Sequence, residues 1–230
     1  MQNRKTTLKQ RRYIFYSSEF VPEPNADCPA AVKKVFVIDI ISLNLIIDMV
    51  KTESSPQVLA TGNSAPDFNL KGVDGSTHSL SDFKSKTVLV VFMCNHCPYV
   101  KARINDIVAL QNAFSPTELQ VVGINSNDPN YKDEGFDNMV SFAKDYRLNF
   151  PYLIDESQDV ARAYGAVCTP DPFLFADGKL AFHGRINDAL DPEAIPTIPV
   201  MENNVRRLLT GKRLERDFDP SIGCSIKWKN

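Results

Sequence analysis

Two cysteines and a histidine lie within four consecutive residues, Cys94-Asn95-His96-Cys97. The thiolate form of cysteine is a nucleophile that attacks disulfide sulfurs and reduces hydroperoxides, so a close pair of cysteines is typical of redox chemistry. A histidine between them can stabilise a neighbouring thiolate and make a disulfide more oxidising. Structural zinc would need a second ligand pair at matching spacing, which the sequence lacks. We therefore predict a redox site with neither a metal ion nor a cofactor.

The elements on either side should place Cys97 at the start of a helix. Residues 87–92 form an apolar, β-branched run that is typical of a strand buried on both faces. Pro98 stands where a first helical residue would be, a position that tolerates its missing N–H and its fixed φ. Free backbone N–H groups and the positive end of the helix dipole would then lower the pKa of Cys97. Apolar residues follow at helical spacing: Val100, Ile104, Ile107 and Val108.

Composition predicts a globular protein with a core and little affinity for nucleic acid. The chain has 230 residues, 43% of them hydrophobic, and a net charge of −2, which gives no basic surface for a phosphate backbone. An odd number of cysteines with one close pair is not the pattern of a secreted disulfide framework. The five are Cys28, Cys94, Cys97, Cys168 and Cys224.

Residues 1–60 are predicted to be an N-terminal extension and linker, with the linker itself at 52–62. The apolar run 35–50 is a candidate membrane anchor, but its 16 residues fall short of the roughly 20 that a span needs. Asp39 and Asp48 would each cost about 2.5–3.5 kcal/mol at the bilayer centre. We predict no anchor and a cytoplasmic protein. If the run were an anchor, the protein would be membrane-attached or periplasmic.

From residue 63 onward, strand and helix patterns alternate. This order predicts a three-layer α/β fold with mixed strand direction. The predicted elements after the first strand and helix are a strand at 119–125, a helix at 136–146, a strand at 152–154, a helical turn at 160–164, a hairpin at 172–176 and 179–183, an irregular insert at 189–199 and a helix at 200–209; an earlier hairpin is predicted at 67–70 and 76–80.

From about residue 62 to residue 216 the sequence resembles the thioredoxin-fold redoxin group, which includes peroxiredoxins of the alkyl hydroperoxide reductase/thiol-specific antioxidant type and thioredoxin-like thiol-disulfide oxidoreductases. The resemblance implies a thioredoxin-like fold with a mixed central sheet over residues 61–216, followed by a tail at 217–230. It also implies that Pro170 is a cis-proline which, with Thr169, lies beside the active cysteines. The matching pieces are GNSAPDFNL, the SLSDFK…VLVVF lead-in, the cysteine turn, LIDESQDVARAYGA and Cys168-Thr-Pro-Asp171.

The resemblance leaves two assignments of the nucleophile. Taken as a CxxC motif, the turn makes Cys94 the attacking thiol and Cys97 the resolving one. Thioredoxin-like proteins, however, carry an aromatic strand residue five positions before the first active cysteine, and Phe92 lies five before Cys97. Peroxiredoxins likewise have a proline directly after the peroxidatic cysteine and a threonine three positions before it, where this chain has Cys94. We favour Cys97 as the nucleophile and Cys94 as its disulfide partner.

The other cysteines have open roles. Cys168 adjoins the Thr169-Pro170 dipeptide, so it is either an accessory redox thiol or an ordinary buried cysteine. Cys224 is expected to be exposed in the tail, either as a distal resolving thiol or in a segment that only packs apolar residues. His183 and Arg185 are predicted to be an ordinary polar residue and a surface charge.

Three functions remain compatible with these residues. The first is a thiol-disulfide oxidoreductase acting on a disulfide-bearing protein, with an unidentified thiol reductant as electron donor. The second is a peroxiredoxin-like hydroperoxide reductase with Cys97 as the peroxidatic thiol, although Cys94 replaces the threonine hydroxyl that peroxiredoxins use to hold peroxide. The third is a redox-inert binding module. Val100 stands where ordinary thioredoxins have their second cysteine, which argues against an ordinary thioredoxin.

Overall fold

The computed structural model describes residues 51–229, so the predictions for the 35–50 run and for Cys28 lie outside the described residues. Its strands are β1 (Lys51–Glu53), β2 (Asn69–Gly72), β3 (Thr77–Ser79), β4 (Thr87–Phe92), β5 (Leu119–Asn125), β6 (Tyr152–Ile154), β7 (Cys168–Thr169), β8 (Asp171–Ala176), β9 (Lys179–Gly184), β10 (Phe218–Asp219) and β11 (Ile222–Ser225). Its α-helices are α1 (Pro98–Asn112), α2 (Phe136–Asp145), α3 (Asp159–Tyr164) and α4 (Val200–Leu209), with a 3₁₀ turn at Leu80–Asp82.

The central sheet has mixed strand direction, as predicted. Its order is β10-β9-β8-β4-β5-β6-β2-β3. Strands β4, β5 and β6 run parallel to one another, whereas β8 is antiparallel to β4 and β9 is antiparallel to β8. A second, three-stranded sheet has the order β1-β11-β7. The thioredoxin-like α/β architecture is therefore present.

Strand β4 is the centre of the core because all six of its residues are buried. Successive side chains on a strand point to opposite faces, so β4 contributes to two apolar clusters. Leu89 and Val91 pack on the face that carries α1, α2 and α4, and Val90 packs with α3 on the other face. Helices on both sides of one sheet give the three layers that the alternating sequence pattern predicted.

Two segments are more ordered than the sequence suggested. The predicted linker at 52–62 begins within β1, which pairs antiparallel with β11. The predicted tail holds β10, which pairs with β9, and β11, which lies between β1 and β7. These strands have two to four residues, and they form because distant segments supply their hydrogen bonds, which no local pattern reveals. The domain boundaries at residues 60 and 216 remain predictions.

Within residues 51–229, none of the helices has the length and apolar character needed to cross a membrane.

Candidate active site

The cysteine turn connects the end of β4 to the start of α1, as predicted. Cys97 is the N-cap residue, with extended backbone at φ −65° and ψ 122°, and Pro98 is the first residue of the helix. Proline suits this position because the first helical N–H has no intrahelical partner. The turn lies within the core, and both Cys94 and Cys97 are 0% exposed.

Three sulfur atoms meet at the start of α1. Cys97 Sγ lies 2.9 Å from Cys224 Sγ and 3.2 Å from Thr169 O. Cys94 Sγ lies 3.3 Å from Thr169 Oγ1. The Thr169–Pro170 peptide bond is cis, and all these cysteines are free thiols. The structure thus brings together Cys94, Cys97, Thr169, Pro170 and Cys224, which the sequence analysis had named as site residues.

The three thiols have different acidities. Burial disfavours the Cys97 thiolate, but interactions with the Cys224 and Cys94 thiols and with the backbone N–H groups of Val100 and Cys224 outweigh it and lower the pKa of Cys97. Burial and the hydrogen bond to Cys97 raise the pKa of Cys94. The hydrogen bond to Cys97, followed by burial, raises the pKa of Cys224. Cys97 is therefore the most acidic thiol of the three.

Glu134 is a site residue that the sequence analysis did not identify. Its side chain is buried, and its Oε1 lies 2.5 Å from His96 Nδ1. It also accepts hydrogen bonds from the backbone N–H groups of Asn95 and His96 and from Asn125 Nδ2. Burial disfavours the charged carboxylate, but these hydrogen bonds lower the pKa of Glu134 overall. The residue lies in a polar loop before α2, where the only sequence signal is an acidic residue among other polar residues.

This carboxylate fixes the conformation of the cysteine turn. His96 Nδ1, which Glu134 contacts, is 3.9 Å from Cys94 Sγ. The buried hydroxyl of Tyr152 donates a hydrogen bond of 2.9 Å to Asn95 Oδ1 in the same turn. The negative charge of Glu134 also contributes to raising the pKa of Cys94. Glu134 therefore holds the turn in place and adds to the effect of burial on the pKa of Cys94.

Cys94, His96 and Glu134 are also the residues that could hold a metal ion in the described part of the chain. One ligand atom from each lies within 4.8 Å of the other two. The carboxylate of Glu134, however, already accepts hydrogen bonds from two backbone N–H groups and two side chains. This donor set fits a hydrogen-bonded cluster better than a metal centre, because a ligating carboxylate would have to give up these contacts.

The expectation that Cys224 is exposed was wrong. Cys224 is buried in β11, directly opposite Thr169 of β7. Its neighbour Gly223 explains why the strand can come so close, since a Cβ atom there would lie 2.0 Å from Thr169 O. Only glycine lets β11 pack against the Thr169–Pro170 backbone.

Three further residues, Cys168, His183 and Arg185, lie in buried or partly buried positions. The Cys168 thiol is buried 3.8 Å from Pro170 O, and burial raises its pKa well above the ordinary value. His183, predicted to be an ordinary polar residue, is buried, and its Nε2 lies 2.7 Å from Asp171 Oδ1. Arg185, predicted to be a surface charge, forms a half-buried ion pair of 2.9 Å with Asp219 of β10.

The fold and the cysteine turn define a thioredoxin-fold redoxin. Residues 61–183, more than half of the chain, match the AhpC/TSA family, and the chain belongs to this family. Among curated relatives, the thiol-disulfide oxidoreductase ResA of Geobacillus thermodenitrificans is 28% identical over 123 residues, which cover 53% of this chain and 67% of ResA. The chloroplastic peroxiredoxin Q of Populus jackii is 34% identical over 105 residues, which cover 45% of this chain and 46% of that protein.

Solved structures share more of the chain. An uncharacterized conserved protein from Geobacillus kaustophilus is 39% identical, with a TM-score of 0.73 over 78% of this chain and 96% of its own. A hypothetical protein from Sinorhizobium meliloti is 37% identical, with a TM-score of 0.73 over 77% of this chain and 98% of its own. A thiol:disulfide interchange protein from Chlorobium tepidum, at 23% identity and a TM-score of 0.51, shares the fold.

Proposed function

We propose that this protein is a thiol-disulfide oxidoreductase in which Cys97 attacks the substrate and Cys94 is its partner in the same turn. The observation that carries the proposal is the position of Cys97 at the N-terminus of α1. Its Sγ lies 2.9 Å from the Sγ of Cys224. The neighbouring thiols lower the pKa of Cys97 and so favour the nucleophilic thiolate at neutral pH. The similarity to ResA thiol-disulfide oxidoreductases supports the same chemistry.

The reaction is a pair of thiol-disulfide exchanges. The Cys97 thiolate attacks one sulfur of a substrate disulfide, which forms a mixed disulfide and releases the first substrate thiolate. Cys94 then loses its proton and attacks Cys97 Sγ, which releases the second substrate thiolate and leaves a Cys94–Cys97 disulfide. That proton goes to the departing substrate thiolate, because His96 Nδ1, which lies 3.9 Å from Cys94 Sγ, already donates its own proton to the Glu134 carboxylate. An external thiol reductant restores the two thiols.

Substrate access requires a movement of the protein. Cys97 is completely buried, and its sulfur contacts Thr169 of β7 and Cys224 of the adjacent strand β11. A disulfide-bearing protein can reach Cys97 Sγ only when this cover opens. β7 and β11 both belong to the small sheet, but β7 leads through Pro170 directly into β8 of the central sheet, so β11 is the element to displace.

The test is reduction of insulin disulfides with dithiothreitol as the electron donor. We expect the wild-type protein to accelerate the reaction and Cys97→Ser to abolish the acceleration, because the mixed disulfide cannot form. Cys168→Ser is the matched control, since this thiol is equally buried and contacts Pro170 O instead of a second sulfur. Full activity of Cys97→Ser would refute the proposal.

A second candidate function is hydroperoxide reduction, which membership of the AhpC/TSA family and the similarity to peroxiredoxin Q favour. It uses the same nucleophile: Cys97 would be oxidised to a sulfenic acid and then resolved by Cys94 or Cys224. Consumption of hydrogen peroxide with a thioredoxin-based recycling system distinguishes the two functions. If both assays fail and Cys97 resists alkylation near neutral pH even when the protein is opened by mild denaturant, a redox-inert binding module is favoured.

A further inference from the structure

Cys97 and Cys224 are positioned as a disulfide pair, although 126 residues separate them in the chain. Their Sγ atoms are 2.9 Å apart, and a disulfide bond is about 2.0 Å long, so bond formation needs a movement of less than ~1 Å. Cys94, the other candidate partner, also interacts with Cys97, but its sulfur is shared with Thr169 Oγ1 at 3.3 Å and His96 Nδ1 at 3.9 Å.

The segment that carries Cys224 is fastened against the active site. Ser221 Oγ donates a hydrogen bond of 2.6 Å to Pro170 O, and Ser221 exchanges two hydrogen bonds with Ser54 at the end of β1. Gly223 allows β11 to lie against Thr169 without a steric clash. These contacts hold the backbone before Cys224, and the backbone N–H of Ile226, which donates to Val167 O at 3.0 Å, holds it afterwards, so the Cys224 sulfur meets Cys97 in a fixed geometry.

We propose that Cys224 is a third redox-active thiol, and that the disulfide that accumulates when the protein is oxidised joins Cys97 to Cys224. This inference rests on the proposed function, because it requires Cys97 to react with disulfides. The Cys224 thiolate attacks Cys97 Sγ of the Cys94–Cys97 disulfide, a Cys97–Cys224 bond forms, and Cys94 leaves as a thiolate that takes up a proton. The step exchanges one disulfide for another and consumes no external oxidant.

The charges around the three sulfurs favour this direction. The hydrogen bond to the Cys97 thiolate is the main reason that the pKa of Cys224 is raised, so this cause disappears once Cys97 is in a disulfide. Lys227 then favours the Cys224 thiolate. Burial is the main reason that the pKa of Cys94 is raised, and burial persists, as does the nearby charge of Glu134. Burial persists for both thiols, but it is the largest cause at Cys94 and only the second at Cys224, so Cys94 is the thiol more stable in its protonated form.

A Cys97–Cys224 bond would also close the site. It would tie β11 covalently to the residue that begins α1, so the cover over Cys97 could no longer be displaced by a protein substrate. Oxidised protein would remain closed until a small thiol reductant cleaved the bond. The third thiol thus protects the nucleophile as well as resolving it.

The direct test is a disulfide map of the wild-type protein. The reduced full-length chain is equilibrated with an excess of oxidised glutathione, which supplies the two-electron oxidation, then quenched in acid, blocked with N-ethylmaleimide, digested and analysed by mass spectrometry. We expect the peptide containing Cys97 to be linked mainly to the peptide containing Cys224. A map in which Cys97 is linked only to Cys94 would overturn this inference and leave the proposed function intact. A map with Cys97 fully blocked and unlinked would overturn both.

Variants separate the two pairings further. Cys94→Ser should still form an intramolecular disulfide at Cys97, Cys224→Ser should form only the Cys94–Cys97 disulfide, and Cys168→Ser should give the wild-type map. Failure of Cys94→Ser to form any disulfide, while Cys224→Ser forms one at the wild-type yield, would contradict the inference. Circular dichroism of each reduced variant checks its folding, and the wild-type map is decisive even if a variant does not fold.

Discussion

Replacing Glu134 by glutamine tests how the cysteine turn is held. The substitution keeps the size of the side chain but leaves it one oxygen acceptor where the carboxylate has two. In the wild type, Asn125 Nδ2 donates a hydrogen bond of 2.6 Å to Glu134 Oε2. If the amide oxygen of the variant keeps the contacts to the turn, its NH₂ group faces this donor, and the hydrogen bond is lost. A hydrogen bond to a charged group contributes about 1.5–3 kcal/mol, and the substitution removes the charge that four such bonds share. We expect a loss of about 3 kcal/mol in the free energy of unfolding.

Thermal unfolding of the reduced protein at neutral pH measures this loss. A protein of this size loses about 2–4 °C in Tm per kcal/mol, so Glu134→Gln should unfold roughly 6–12 °C below the wild type. Glu156→Gln is the matched control because Glu156 is exposed, and a surface change of this kind stays within about 0.5 kcal/mol. A Tm for Glu134→Gln equal to that of Glu156→Gln would refute the role given to the carboxylate.

The same comparison predicts a pH dependence. The pKa of Glu134 is lowered in the folded protein, so the unfolded chain binds its proton at a higher pH than the folded one. The stabilisation is then complete above the unfolded pKa of about 4.3 and is lost as the pH falls through the folded pKa. The difference in stability between the wild type and Glu134→Gln should therefore narrow as the pH is lowered below about 4.3. A difference that is constant down to strongly acidic pH would contradict this assignment.

Three further predictions follow from the contacts around the site. Gly223→Ala should push β11 away from Thr169, because the new Cβ would lie 2.0 Å from the Thr169 carbonyl oxygen. We expect faster alkylation of Cys97 by iodoacetamide and a lower yield of the Cys97–Cys224 disulfide. Unchanged values for both would show that β11 does not cover the thiol. Tyr152→Phe removes the hydrogen bond to Asn95 and leaves the buried side-chain oxygen Oδ1 without that donor. Chemical denaturation should therefore show a loss of about 1–3 kcal/mol in the free energy of unfolding. Wild-type stability would be evidence that this hydrogen bond does not support the turn. Purified protein should contain less than stoichiometric zinc by elemental analysis, because hydrogen bonds already occupy the Glu134 carboxylate. It should also keep its insulin reductase activity after dialysis against a chelator. One tightly bound zinc per chain whose removal changes activity would show that Cys94, His96 and Glu134 form a metal site.

Elements with strong local patterns could be predicted from the sequence. The strand at 87–92 was predicted at the residues where β4 lies, because an uninterrupted apolar run has one stable environment, the middle of a sheet. Pro98 correctly marked the start of α1, since proline at a first helical position removes no hydrogen bond. The structure also brings Cys94 and Cys97 together with Thr169 and Pro170, which the resemblance to redoxins had implied.

The remaining part of the site depends on contacts between distant segments. Cys224 lies on a four-residue strand whose position is set by its partners β1 and β7, so composition alone suggested an exposed tail. Glu134 lies in a polar loop that looks like many solvated loops, and only the folded chain shows that its carboxylate accepts backbone hydrogen bonds from the cysteine turn. Neither residue belongs to a local pattern with a recognisable period, which is the signal on which sequence analysis depends.

The central claim is that Cys97 is a thiolate at neutral pH, and a titration tests it most directly. The ultraviolet absorbance of thiolate is followed against pH for the reduced wild-type protein and for Cys97→Ser, and the difference between the two curves reports Cys97 without requiring a reagent to reach the buried sulfur. We predict a midpoint far below the pKa of about 8.5 of a free cysteine, because the neighbouring thiols and backbone N–H groups lower the pKa of Cys97. A midpoint at or above 8.5 would contradict the account.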